Sequence, residues 1–197
     1  RHGHQAENCK WAAPFPKHIR GREPKEMPSS IGGEIGEVGT KNSTPEELRA
    51  YMDGYRNRIG DLRGLAKVSI QTGSSHGGVV GPDGTVQRVA IDFETLQRIS
   101  KIAREEYGMA GAVQHGASTL PPELFGHFPE HECAEIHLAT GFQNMVYDHP
   151  SLPHALRSAV DRWVFTTLID QKKPGDTPEQ FLYKNRKQAI GPFKEQF

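Results

Sequence analysis

"GAVQHGASTLPPELF", residues 111–125, decides how this chain is read. A short apolar run, Ala112-Val113, reaches His115. Side chains then nearly vanish across Gly116, Ala117 and Ser118, before Thr119 and the pair Pro121-Pro122. A strand that ends in an imidazole and a bare turn has two explanations. One is a tight turn with a hydrogen-bonded histidine at its edge. The other is a ligand site, in which the histidine holds a metal and the exposed backbone lets a phosphate come close.

The surrounding sequence repeats one pattern. "IGGEIGEVG" (31–39) has the composition of a strand running into a glycine loop. "TPEELRAYMDGYRNRI" (44–59) predicts a helix, with Thr44 as cap, Pro45 at the first position and Glu47 completing a capping box. "KVSIQTG" (67–73) alternates as a strand does. "DFETLQRISKIAREEYG" (92–108) places apolar residues at helical spacing between Asp92 as cap and Gly108 as stop. "AGAVQHG" (110–116) and "AEIHLAT" (134–140) are predicted strands, with a short helix starting at "PPELF" between them. Helices are predicted over 152–170 and 177–190. Strand and helix alternate four times, at spacings too long for hairpins, which argues for parallel strands joined by helical crossovers. An eightfold β/α barrel takes about 250 residues. Four units are therefore half a barrel or a small open α/β domain. The Arg1 start and the proline-rich, aperiodic residues 1–30 favour the back half of something longer, with 1–30 expected to be irregular.

Composition narrows the function. Basic and acidic residues balance at 24 each, so there is no electrostatic case for nucleic acid or an acidic membrane surface. No run approaches the roughly 18 apolar residues of a membrane span, and no signal peptide is visible. Two cysteines, Cys9 and Cys133, make no disulfide framework, so a reducing cytoplasm is expected. Ten histidines permit metal chemistry without requiring it. His2, His4 and Cys9 are expected to face solvent in a mobile terminus. His127, His131, His149 and His154 are assigned to the surface, and Cys133 to the interior.

In parallel α/β folds the site lies at the carboxyl ends of the strands. Glu34, His76, His115 and His137 all fall there, with glycines and hydroxyls beside them. Singly, Glu34 could be an ion-pairing carboxylate, His76 a loop residue and His115 a hydrogen-bonded strand end. Imidazole and carboxylate are ordinary zinc ligands, so Glu34, His76 and His115 could converge on one metal, and a histidine-glycine pair ends two successive strands.

Four segments in order, "GGEIGEVG" (32–39), "TGSSHGGV" (72–79), "QHGAST" (114–119) and "AEIHLATGFQN" (134–144), resemble the C-terminal half of the class II, zinc-dependent ketose-bisphosphate aldolases. The resemblance covers residues 31–150 and extends toward the C-terminus. It implies a (β/α)8 barrel of TIM type, dimeric or larger, that cleaves a ketose phosphate to dihydroxyacetone phosphate and an aldehyde. It implies Zn2+ held by three histidines, of which His76 and His115 match two. The third, and the aspartate that donates a proton, lie in the family's N-terminal half. Glu34 matches a glutamate close to the metal that can ligate it in an alternative position. Gly77, Gly116, Ser118 and Thr140 match the positions that hold the sugar phosphate. The departures are specific. The family's HGGSG is HGAST here, and the strand-eight asparagine that contacts substrate is His137. The aspartate two positions on is Ala139. The loop pair that includes the proton-abstracting base is replaced by Lys41 and Asn42, and Glu46 and Glu47 read as helix capping. A non-catalytic sugar-phosphate-binding or assembly protein derived from the same barrel is the alternative, and an unrelated open α/β domain is a third.

Four strands with two unpaired edges and an uncovered face are expected to self-associate. Sedimentation of residues 1–197 should give a mass above the 21.9 kDa of one chain. A cooperative, monodisperse monomer would contradict the half-barrel.

Overall fold

Lys67–Ile70 sorts its side chains by the two-residue period of a strand. Val68 and Ile70 enter an apolar core, and Lys67 and Ser69 turn to the opposite face. The computed structural model describes residues 2–36, 41–73, 79–83, 85–87, 90–118 and 120–197. In chain order it begins with α1 (His2–Ala12), α2 (Pro14–Arg20), β1 (Gly32–Glu34), α3 (Pro45–Ile59) and β2 (Lys67–Ile70). A short hairpin follows, β3 (Val79–Val80) and β4 (Val86–Gln87), then α4 (Phe93–Glu105) and β5 (Ala112–Gln114). The chain continues through α5 (His127–Glu130), β6 (Glu135–Ile136), α6 (Thr140–Tyr147), α7 (His154–Thr167) and α8 (Pro178–Asn185).

The main sheet has the order β1-β2-β5-β6, with every pair parallel. Its register aligns Glu34 with Ser69, Ser69 with Val113, and Val113 with Glu135. This is the α/β class that the alternation predicts. Beyond the hairpin inserted after β2, each strand lies beside the next one in the chain, so successive crossovers add strands in one direction.

The crossover helices form for local reasons that the sequence displays. The Thr44 hydroxyl accepts the Glu47 N–H at 3.2 Å while the Thr44 N–H donates to Glu47 Oε2 at 3.0 Å, which is the expected capping box. Leu48, Tyr51, Met52, Tyr55 and Ile59 then recur on one buried face of α3. In α4 the Asp92 carboxylate caps the Thr95 N–H at 2.9 Å, and Leu96, Ile99 and Ala103 are buried. These faces meet Val68, Ile70 and Ala112 in one core. Ser100 ties α4 to the next strand. Its hydroxyl donates to the Glu132 carbonyl at 2.6 Å and accepts the Ala112 N–H at 2.9 Å.

The N-terminal expectation is overturned. Residues 1–30 are not irregular, because α1 and α2 occupy most of them. Gln5, Cys9 and Ala13 recur every fourth residue and are all buried. Two of the three are small and one is polar, so the spacing leaves no hydrophobic signal in the sequence. Cys9 does not face solvent. It is fully buried, and its thiol donates to the Tyr51 carbonyl at 3.0 Å. Gly54 permits this approach, since a Cβ there would lie 3.0 Å from Cys9 Sγ. The side chains of His2 and His4 lie outside the described residues.

Two smaller apolar clusters hold the C-terminal helices together. One is built on Tyr147, Val160 and Ala189, the other on Val164, Leu168 and Phe181. The Thr177 hydroxyl donates to the Pro82 carbonyl at 2.6 Å, and Gln180 Nε2 donates to the Val80 carbonyl at 2.9 Å, so α8 is anchored to the hairpin. That hairpin was not expected. Each of its strands has two residues, too few to show alternation.

Leu48→Ala should cost about 2–5 kcal/mol by opening a core cavity. Ser100→Ala should cost about 1–3 kcal/mol by stranding the buried Ala112 N–H, while the Glu132 carbonyl keeps Arg104. Arg49 is paired to Glu106 across α3 and α4 at 2.6 Å but is 42% exposed, so Arg49→Ala should stay within about 1 kcal/mol. Urea denaturation measures all three, and equal losses would contradict this ranking.

Candidate metal and phosphate site

The face of the sheet turned away from α3 and α4 carries charged and polar side chains around the buried Val113. β1 brings Glu34 to it, β2 brings Lys67 and Ser69, the end of β5 brings His115, and β6 brings Glu135 and His137. These groups form one continuous line. Glu34 Oε1 lies 3.4 Å from His115 Nδ1. His115 Nε2 is 3.0 Å from the Ser69 hydroxyl and 2.9 Å from His137 Nδ1. His137 Nε2 is 2.9 Å from Glu135 Oε2. Lys67 Nζ then reaches past β5 to both Glu135 oxygens at 2.6 Å. Burial alternates along the line, with the His115 side chain 18% exposed and that of His137 48% exposed.

A second group of residues lies at the adjoining strand ends. Gly116 follows His115 with φ of +71°, a left-handed conformation that costs other residues about 1–2 kcal/mol. The chain then turns back, and the Ser118 hydroxyl accepts the Ala139 N–H at 3.1 Å. Ala139 precedes α6 and offers no side-chain cap of its own, so Ser118 supplies an oxygen at the start of that helix. Thr140 is its first residue. Below this loop the strand ends are locked by buried polar groups. Ser43 N–H donates to the Gln71 carbonyl at 2.8 Å, the Ser43 hydroxyl accepts the Gln71 N–H at 2.9 Å, and the Thr72 hydroxyl donates to Gln114 Oε1 at 2.6 Å.

The structure therefore brings Glu34, His115 and His137 together, and sets Gly116, Ser118 and Thr140 beside them. His76 and Gly77 lie outside the described residues. Among the described residues, no three His, Cys, Asp or Glu side chains converge on one metal position. The donor types nevertheless suit a borderline divalent cation. With Zn–N bonds of about 2.0 Å and tetrahedral angles, two ligand nitrogens stand about 3.3 Å apart. The facing nitrogens of His115 and His137 are at 2.9 Å, a few tenths of an ångström closer.

Other expected candidates go elsewhere. His127 pairs with Glu130 at 2.9 Å, and both His127 and His131 lie against the Phe93 ring. His127, His149 and His154 are exposed and His131 is half-buried. Cys133 is half-buried, with its thiol on the Glu135 carbonyl at 3.1 Å. Lys41 is exposed, Asn42 Nδ2 donates to Asp92 Oδ2 at 2.9 Å, and Glu47 is occupied by the Thr44 cap. Three participants were missed: Lys67, Ser69 and Glu135. Their signal was present, because Lys67 and Ser69, like Glu135 and His137, are two apart on a strand and share a face.

No protein-family model matches the sequence, and no curated protein matches it. Among solved structures, that of a candidate fructose-1,6-biphosphate aldolase from Coccidioides immitis is similar, with TM-score 0.49 and 19% sequence identity. The match covers 94% of this chain and 57% of that one, so the chain spans little more than half of its length. Among the described residues no helix is long and apolar enough to cross a membrane.

Lys67, and after it His137, holds the Glu135 carboxyl below the ordinary glutamate range. A carboxyl whose folded pKa is lowered adds stability above its unfolded pKa of about 4.3, and that contribution disappears as pH falls through the lower folded value. Lys67→Met should flatten the acid limb of the stability curve below about pH 5. The change should be about 1 kcal/mol or less, since the Glu135 side chain is 40% exposed. Urea denaturation between pH 3 and 7 reads the difference, and an acid limb as steep as that of the parent would contradict the pairing.

Proposed function

We propose that residues 31–197 are the C-terminal half of a (β/α)8 barrel of the zinc-dependent ketose-bisphosphate aldolase type, with 1–30 as a helical extension. On this reading the protein works in cytoplasmic carbohydrate metabolism as a dimer or larger homo-oligomer. It cleaves a ketose phosphate reversibly to dihydroxyacetone phosphate and an aldehyde. The observation that supports it most is the grouping of Glu34, His115, Gly116, Ser118 and Thr140 at the carboxyl ends of parallel strands. Those residues come from segments up to about a hundred positions apart, and the four ordered motifs nominate the same set.

His76 and His115 would hold the zinc, with Glu34 close by. Bound there, zinc would polarise the substrate carbonyl and stabilise the oxyanion that develops on it. The chain's own part is binding and orientation. Backbone N–H groups at Gly77 and Gly116, and the hydroxyls of Ser118 and Thr140, would grip the phosphate at the start of α6. That grip fixes the reacting carbons relative to the imidazoles, which is where most of the gain from positioning arises. His137 replaces a substrate-contacting asparagine and lies beside His115 at 2.9 Å.

One observation favours a second reading, a sugar-phosphate-binding protein without turnover. The loop positions that carry the proton-abstracting carboxylate in the resembled family are an exposed lysine, Lys41, and an asparagine, Asn42, already bonded to Asp92. Glu47, the half-buried alternative nearby, is held by its cap.

A coupled assay for dihydroxyacetone phosphate release, run on the full gene product with zinc and a panel of ketose phosphates and bisphosphates, separates the two. Turnover is expected, with His115→Ala lowering it by more than about 100-fold, the upper end even for disturbing the outer partners of a metal site. Phosphate-sensitive binding of the same compounds with no turnover would establish the binding protein instead.

A further inference from the structure

Four side chains on the polar face form one hydrogen-bonded chain whose direction is set at its far end. Lys67 Nζ donates to both Glu135 oxygens at 2.6 Å. Lys67, and after it His137, holds the Glu135 carboxyl below the ordinary glutamate range, so the carboxylate is ionised and only accepts. His137 Nε2 lies 2.9 Å from Glu135 Oε2 and is therefore the nitrogen of that ring that carries hydrogen. In the neutral ring His137 Nδ1 is then an acceptor, and it faces His115 Nε2 at 2.9 Å. The hydrogen in that contact belongs to His115 Nε2. The Ser69 hydroxyl, 3.0 Å from the same nitrogen, can accept or donate, so it follows the chain without directing it. With hydrogen on Nε2, the neutral His115 ring has its lone pair on Nδ1. That atom faces Glu34 Oε1 at 3.4 Å. The separation is longer than a hydrogen bond and close to the roughly 3.3 Å between two atoms that share one tetrahedral zinc.

We propose that Glu135 and His137 are positioning residues that fix the tautomer of His115, so that Nδ1 is the atom it offers to a metal. This rests on the reading above that His115 binds zinc, and goes beyond it in naming the ligating atom and the residues that select it. Metal-bound histidines commonly donate their second N–H to a partner that fixes the ring and raises the basicity of the ligating nitrogen. Here the partner is another imidazole, itself held by a carboxylate and an ammonium. The relay crosses the sheet. Lys67 stands on β2, Glu135 on β6 with His137 just after it, and His115 at the end of β5 between them. An asparagine at position 137 could turn either its oxygen or its amide to His115 and would leave the tautomer undirected. The residue that departs most visibly from the resembled family thus has a defined part without touching metal or substrate. Changing one atom reverses the relay. In Glu135→Gln the amide oxygen should stay on Lys67, which turns the amide N–H groups to His137 Nε2. That nitrogen must then accept, His137 donates from Nδ1, and His115 accepts at Nε2. The His115 hydrogen moves to Nδ1, where the metal would bind.

The test is a two-bond nitrogen–proton correlation spectrum of the histidine rings in the metal-free 197-residue chain, with His115 and His137 assigned by substitution. It is recorded at about pH 8, above the ordinary imidazole pKa of about 6.5, and is followed by calorimetry with zinc. In the parent both rings should carry hydrogen on Nε2 alone. Glu135→Gln should move the hydrogen to Nδ1 in both rings and weaken zinc 10- to 100-fold. Adding Lys67→Met frees the new amide to turn its oxygen to His137, and should return both rings toward the parent state. Hydrogen on Nδ1 of either ring in the parent would overturn the relay, whether or not the variants fold. Unchanged His115 signals in a folded Glu135→Gln would overturn it too, and would leave the zinc reading intact if zinc still binds. The expected tautomer change with no zinc binding by the parent would overturn the zinc reading, and with it the ligating role of Nδ1.

Discussion

The alternation of side chains along four short parallel strands governs everything else in the molecule. β2 sends Val68 and Ile70 into the core and Lys67 and Ser69 to the opposite face, which Glu34 and Glu135 share, while in β5 the buried Gln114 lies on the core side and the buried Val113 on the other. A shift of one residue in β2 would exchange its two sets, placing Lys67 in the core and Val68 in the site. The register is therefore tied to both stability and chemistry. Val68 and Ile70 fix it from the apolar side. The Lys67–Glu135 pair, spanning β2 to β6 past the intervening strand, fixes it from the polar side.

Function follows from where that polar face ends. At the carboxyl ends of the strands the backbone turns sharply at Gly116, and the Ser118 hydroxyl closes the gap to α6. Imidazoles, carboxylates and a helix start are thereby gathered within a few ångströms. Elsewhere the histidines are spent on surface contacts, with His127 and His131 against Phe93. The described histidines thus divide between one line of chemical interest and several bystanders. Glu34, His115, His137 and Glu135 belong to that line, and nothing about the number of histidines alone identifies them.

Much of this was legible in the sequence, for identifiable reasons. The α3 capping box and the Asp92 cap are local, so Thr44, Glu47 and Asp92 announce themselves within four residues. The parallel order was legible because strand-to-strand spacings leave room only for crossovers. The strand-end candidates Glu34, His115 and His137 were legible from position. What was hidden depends on packing between distant segments. Helix α1 meets α3 through Cys9, with Gln5 and the following Ala13 also buried, and such small or polar contacts write no amphipathic stripe. The hairpin of β3 and β4 is too short to alternate. Glu135 was overlooked because its importance lies in facing His137 and Lys67 at once, a three-residue relation that only the register creates.

The proposal on which the functional reading turns is that His115 holds a metal at the carboxyl ends of the strands. Diffraction from crystals of the chain soaked in zinc, measured on both sides of the zinc absorption edge, tests it most directly. The proposal predicts one strong anomalous peak about 2 Å from a ring nitrogen of His115. A strong peak at the surface pair His127 and Glu130 instead, or no peak near His115 at full soaking, would contradict it.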